Sequence, residues 1–183
     1  MIDPAIATRI KVLILDVDGV LTDNTVILGL VDGERVELKS FNIQDGLGLA
    51  IFRQSIPVVW MSGRVSEATT LRATELKADE VLQLRDAAKL PATLELMQRR
   101  NLAWEEIAFI GDDLADLPVM RRCGLPIAVA NAVAEVKECA AMVTRAEGGK
   151  GAVREAVEAL LKARGSWNES ISRYLRERGD DAA

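Results

Sequence analysis

Apolar residues fall along this chain in two alternating patterns. Val12, Leu13, Ile14 and Leu15 form an unbroken run rich in β-branched side chains, the mark of a strand buried on both faces in a parallel sheet. Similar runs recur as VVWM after Pro57, as IAFI before Gly111 and as PIAVA after Leu125, with shorter strand candidates over 80–84 and 141–144. Between them the apolar positions take helical spacing. Leu47, Leu49, Ala50 and Ile51 mark a helix over 43–54, and Ala68, Leu71 and Leu76 are candidate core contacts of a helix over 65–77. Leu90, Leu94 and Met97 mark another, with Asp86 as its expected N-cap. A short helix ends at Met120, another covers 133–139, and Gly148-Gly149-Lys150-Gly151 opens a last one running to Ala163. Strands alternating with helices predict an α/β fold, a doubly wound parallel sheet with right-handed crossovers.

Two stretches depart from that rhythm. In TVILGLVDGERVELKSF, Asp32-Gly33 is a type I′ hairpin signal between two β-rich arms. Such a ribbon, over about 25–41, needs something to pack on. After Gly165, Trp167, Ile171, Tyr174 and Leu175 share one helical face. The predicted organisation is a domain over 1–164 carrying a small β-hairpin insertion, followed by an amphipathic tail over 165–183.

The apolar fraction, 49% of 183 residues, excludes intrinsic disorder, and no run is long enough to span a bilayer. The first residues lack the basic-then-apolar pattern of a signal peptide. A formal charge of −5 argues against nucleic acid or an anionic membrane as partner, but leaves room for a small anionic substrate held by local cations. Cys123 and Cys139 form no C-x-x-C motif and read as buried thiols of a cytoplasmic protein. The absence of histidine removes Ser-His-Asp and Cys-His catalysis and His-bound zinc.

Chemistry must therefore rest on carboxylates, lysine, hydroxyls and a metal. The first strand stops at Asp16, Asp18 and Gly19, at the carboxyl end where ligands of open α/β sheets bind. Read alone, D-x-D-G is as good a turn cap as a metal site. Other strand ends and helix starts decide: Ser62 with Gly63 and Arg64, then Lys89, then Asp112, Asp113 and Asp116. A carboxylate nucleophile, a second carboxyl, a hydroxyl, a lysine and oxygen ligands for Mg²⁺ suit phosphoryl transfer through an aspartyl phosphate.

The segment DVDGVLTD resembles the first motif of the haloacid dehalogenase superfamily of phosphatases, with Ser62, Lys89 and GDDLAD at the places of the other three. KSFNIQDGLGLA, MSGR, IGDDLADLP and GGKGAVRE further resemble the small-capped sugar-acid phosphatases that act on 3-deoxy-D-manno-octulosonate 8-phosphate. The resemblance implies that Asp16 attacks phosphorus and that Asp18 serves as acid and then base. It implies that Asp16, the backbone carbonyl of Asp18 and Asp112 bind Mg²⁺ with Asp113 close behind, and that Ser62, Gly63 and Lys89 hold the phosphoryl group. Arg64 is expected to pair with the substrate, or else to be a surface cation. Lys150, among glycines at a helix start, is an anion-site candidate or a solvated loop lysine. The resemblance also implies ribbons pairing into a ring, a homotetramer whose subunits cover one another's sites.

Rival readings are weaker. Cys139 and Arg145 fit C-x₅-R, but the residues between them are apolar and lack glycine. A receiver-like signalling module shares the residue types but has its phosphorylated aspartate on the third strand. A phosphatase of nine-carbon sialic-acid-like 9-phosphates uses the same motifs and remains the alternative on substrate.

Overall fold

The computed structural model describes residues 1–180; the last three residues of the predicted tail lie outside them. Six strands form one parallel sheet: β1 (Val12–Leu15), β4 (Val58–Ser62), β5 (Glu80–Gln83), β6 (Ile107–Gly111), β7 (Leu125–Ala128) and β8 (Met142–Val143), in the order β5-β4-β1-β6-β7-β8. The register sets Leu15 beside Trp60 on one flank and Ile110 on the other. From β1 the chain winds outward through β4 and β5, then crosses back to β6 and winds the other way. The topological switch therefore lies between β1 and β6, and Asp16 and Asp112 follow their carboxyl ends. β1, β4 and β6 are buried throughout, so their unbroken apolar runs have helices over both faces.

Those helices are α1 (Pro4–Arg9), α2 (Ile43–Phe52), α3 (Glu67–Glu75), α4 (Lys89–Arg100), α5 (Leu117–Met120), α6 (Ala134–Cys139) and α7 (Ala152–Ala163). The pattern of apolar residues did not announce α1. Asp3 caps it, accepting from Ala5 N–H, with Pro4 in its first turn.

Two helices are rotated from the expected faces. Leu71 is exposed, and α3 instead buries Thr69 and Ala73. Leu94 is exposed too, because α4 turns Lys89, Thr93 and Leu96 inward. Asp86 does not cap α4. It accepts from Ala88 N–H in the turn before the helix, and Ala88 takes the cap position.

β2 (Ile27–Val31) and β3 (Glu34–Leu38) form the separate ribbon, turning at Asp32 and Gly33 with φ of 52° and 83°, as a type I′ turn requires. Ile27, Leu28, Leu30, Val31 and Leu38 are all exposed. The last helix, α8 (Trp167–Arg176), lies on α2 and α7, with Trp167 beneath the guanidinium of Arg154. Its end reaches Gln54 through Arg173 and Glu177, near the start of β4 and so at the sheet edge opposite Asp16. Among the described residues no helix is long and apolar enough to cross a membrane.

Candidate active site

The loop after β1 is wound tightly: Leu21 and Thr22 N–H both donate to Val17 O. Gly19 adopts φ 96°, and a Cβ there would collide with the carboxylate of Asp112. The glycine is thus required both by its backbone and by the close approach of β6. From the far side Gly148 comes so near that a Cβ would strike Gly19 O. Asn131 bridges the two loops, donating to Gly19 O and accepting from Gly148 N–H.

Asp16, Asp112 and Asp116 are buried, and one oxygen from each lies within 4.8 Å of the others. Lys89, buried at the first position of α4, reaches Asp16 Oδ1 at 2.8 Å and Asp116 Oδ1 at 2.5 Å. The other oxygen of Asp116 accepts from the N–H groups of Asp112 and Asp113. Both oxygens of Asp116 are therefore spent on orienting Lys89 and the loop after β6. Asp112 differs: its Oδ1 is buried without a hydrogen-bond partner, while Asn24 Nδ2 reaches Oδ2 at 3.5 Å.

The electrostatics follow from this crowding. Burial pushes the Asp112 carboxyl up to about 8, reinforced by the charges of Asp16 and Asp116. Burial raises Asp16 to about 6, with Lys89 pulling the other way. Burial works against the Lys89 ammonium, but the two carboxylates outweigh it and hold its pKa above the ordinary lysine value. Three carboxylates around one lysine leave negative charge in a dry place, which is costly uncompensated. An all-oxygen set with one unpartnered buried oxygen fits a hard divalent cation, with Asp16 and Asp112 as its side-chain ligands.

Asp18 turns away from this cluster. Its Oδ2 is 3.4 Å from Ser62 Oγ, and its Oδ1 pairs with Lys39 Nζ at 2.6 Å. Ser62 Oγ also exchanges hydrogen bonds with the backbone of Arg64, and Gly63 packs closely under Ala87 in the turn before α4. Arg64 pairs with Glu37 of β3 at 2.9 Å, and both line a cleft of about 710 Å³ between β3 and α3. Asp113 is exposed and accepts from Leu114 N–H. Lys150 is exposed and pairs with Glu147. The structure thus gathers Asp16, Lys89 and Asp112 with Asp116, pairs Asp18 with Ser62 and Lys39, and leaves Asp113 and Lys150 exposed. The sequence reading assigned no role to Lys39, Glu37, Asn24 or Asn131. Glu37 on β3 and Lys39 just past its end continue one alternating charged face, the one signal that could have found them.

With this geometry the chain can be compared with known proteins. It is 41% identical over 165 residues to the Escherichia coli (strain K12) 3-deoxy-D-manno-octulosonate 8-phosphate phosphatase KdsC, covering 90% of this chain and 86% of that one. The chain belongs to the haloacid dehalogenase-like hydrolases, within the KdsC family of phosphatases. A family model for haloacid dehalogenase-like hydrolases matches residues 80–156. The Moraxella catarrhalis 3-deoxy-D-manno-octulosonate 8-phosphate phosphatase, solved with magnesium, phosphate and KDO, superposes with a TM-score of 0.87 at 35% identity, covering 93% of this chain and 97% of that one. A probable YrbI family phosphatase from Pseudomonas syringae gives 0.86 at 40% identity, over 94% and 96%. Like its KdsC relatives, the chain is a phosphoric monoester hydrolase.

Proposed function

We propose that this enzyme hydrolyses the phosphate monoester of an eight-carbon sugar acid, 3-deoxy-D-manno-octulosonate 8-phosphate, with Mg²⁺ as cofactor. The observation that carries the chemistry is the unpartnered Asp112 oxygen beside Asp16, with Lys89 2.8 Å from Asp16. The substrate rests on the likeness to the 3-deoxy-D-manno-octulosonate 8-phosphate phosphatases of Escherichia coli and Moraxella catarrhalis.

A carboxylate oxygen of Asp16 attacks phosphorus, forming an aspartyl phosphate as the bond from phosphorus to the sugar oxygen breaks. Asp18 gives that oxygen its proton. Lys89 and Ser62 hold phosphoryl oxygens whose charge grows in the transition state. Asp18 then takes a proton from water, the water oxygen attacks phosphorus, and the bond to Asp16 breaks to release phosphate. Asp16 and Asp112 would hold Mg²⁺, which would supply positive charge against the phosphoryl oxygens. Arg64, which lines the cleft between β3 and α3, is the cation assigned to an anionic sugar.

Cover for the site comes from other subunits. The apolar residues of the ribbon have nothing over them in the single chain, and we infer a closed ring, a tetramer, in which ribbons pair. The tail helix sits at the wrong edge to cover its own Asp16, so any cover it gives is for a neighbour.

The test is phosphate release from a panel of sugar-acid phosphates with Mg²⁺. The eight-carbon 8-phosphate is expected to be turned over best, and chelation to stop turnover until Mg²⁺ is restored. A preference for nine-carbon 9-phosphates would overturn the substrate, and full activity in chelator would overturn the metal.

A further inference from the structure

The charged face of the ribbon ends on a lysine that the reaction scheme leaves idle. The Lys39 side chain is wholly buried, 0% exposed. A buried ammonium is tolerated when its charge is matched by nearby carboxylates. Nζ lies 2.6 Å from Asp18 Oδ1, 3.3 Å from Thr69 Oγ1 on α3 and 3.7 Å from Glu37 Oε1. Glu37 is itself held by Arg64. The backbone around Lys39 is fixed on both sides. Leu38 is paired with Ile27 in the ribbon, and Phe41 stacks on Trp60 of β4 with ring centroids 6.3 Å apart.

Asp18 is therefore gripped differently at its two oxygens. Oδ1 faces a donor-only ammonium, which leaves Oδ2 as the oxygen turned toward other partners. That oxygen is the one beside Ser62 Oγ, on the side where the phosphoryl group is held. Resting on the reading of Asp18 as the proton-transfer group, we infer that Lys39 is a positioning residue for Asp18. It fixes the carboxylate so that Oδ2 exchanges protons with the leaving oxygen and with water. The ribbon then has two jobs, because β3 offers Leu38 outward while Glu37 and Lys39, the residue just past its end, turn inward to the acid–base group.

Leaving-group dependence separates positioning from mere structural support. An alkoxide leaves only with a proton, whereas nitrophenolate leaves without one. First-turnover rates with Mg²⁺ are measured for the wild type, Lys39→Met and Asp18→Asn, on p-nitrophenyl phosphate and on the alkyl phosphate that the wild type turns over fastest. Circular dichroism checks the fold. If the methionine variant does not fold, Lys39→Gln, which keeps a donor in the buried place, goes through the same assay. Lys39→Met is expected to slow the alkyl phosphate by about a hundredfold and the nitrophenyl ester by about threefold or less, the pattern also expected of Asp18→Asn. Equal slowing of both esters by the Lys39 variant, or slowing of neither, overturns the role of Lys39 alone if Asp18→Asn remains selective. Equal slowing by Asp18→Asn overturns the reading of Asp18 and the inference with it.

Discussion

At the scale of single residues, Asp112 concentrates the physics of the site. Its carboxyl is pushed up to about 8 and that of Asp16 to about 6, both chiefly by burial. Without a cation the folded chain holds protons here that the unfolded chain has already released near pH 4. The folded form thus binds more protons than the unfolded form between those values, and stability falls as pH rises. We expect the melting temperature in chelator to fall from about pH 6 to about pH 8, a window above the titration of the ordinary carboxylates. Mg²⁺ should raise it more at the upper end, where fewer protons must be displaced. Thermal melts with and without Mg²⁺ check this; a flat profile in chelator would contradict the burial argument. Gly19 gives a second prediction. Gly19→Ala, strained at φ 96° and aimed at Asp112, should destabilise the fold by about 1–3 kcal/mol and cut turnover, read by chemical denaturation and phosphate release. Asp16 and Asp18 could be singled out in the sequence because two acids ending an apolar strand coincide with a hydroxyl, a lysine and further acids at other strand ends and helix starts. The orienting task of Asp116 could not, because it depends on which N–H groups and which lysine its two oxygens meet.

At the scale of elements, α4 shows why periodicity found the helix but not its face. Leu90, Leu94 and Met97 form a good apolar stripe, yet the helix turns Lys89, Thr93 and Leu96 inward. The ion pairs from Lys89 to Asp16 and Asp116 select that rotation, and Leu94 is left exposed. A pattern that counts apolar residues cannot anticipate a helix oriented by a buried charge. Asp116→Asn should therefore act through Lys89: one buried partner loses its charge, at a cost of about 3 kcal/mol or more, and turnover drops although Asp116 touches no substrate. Denaturation midpoints and initial rates measure the two effects. The ribbon was legible for a different reason. Asp32-Gly33 specifies its turn locally, and both residues take the positive φ that the pair predicts.

For the whole molecule, the strand order was legible only as a class. Alternating strands and helices imply a doubly wound sheet, while the crossing from β5 back to β6, which brings Asp112 beside Asp16, is set by long-range pairing. The exposed apolar ribbon points beyond the single chain. Leu30 is 75% exposed on a two-stranded sheet with no layer over it, which argues for an interface. Light scattering should show an oligomer at micromolar concentration, and Leu30→Glu should dissociate it and raise KM; an active wild-type monomer would sink the ring.

Asp16 is proposed to carry the phosphoryl group between the two halves of the reaction, and acid quenching during turnover would trap it there. With the sugar-acid phosphate and Mg²⁺ present, peptide mapping of the quenched enzyme should find phosphate on Asp16, and Asp18→Asn should accumulate it. Rapid turnover that leaves no covalent phosphate on the chain, or phosphate found on another residue, would contradict the account.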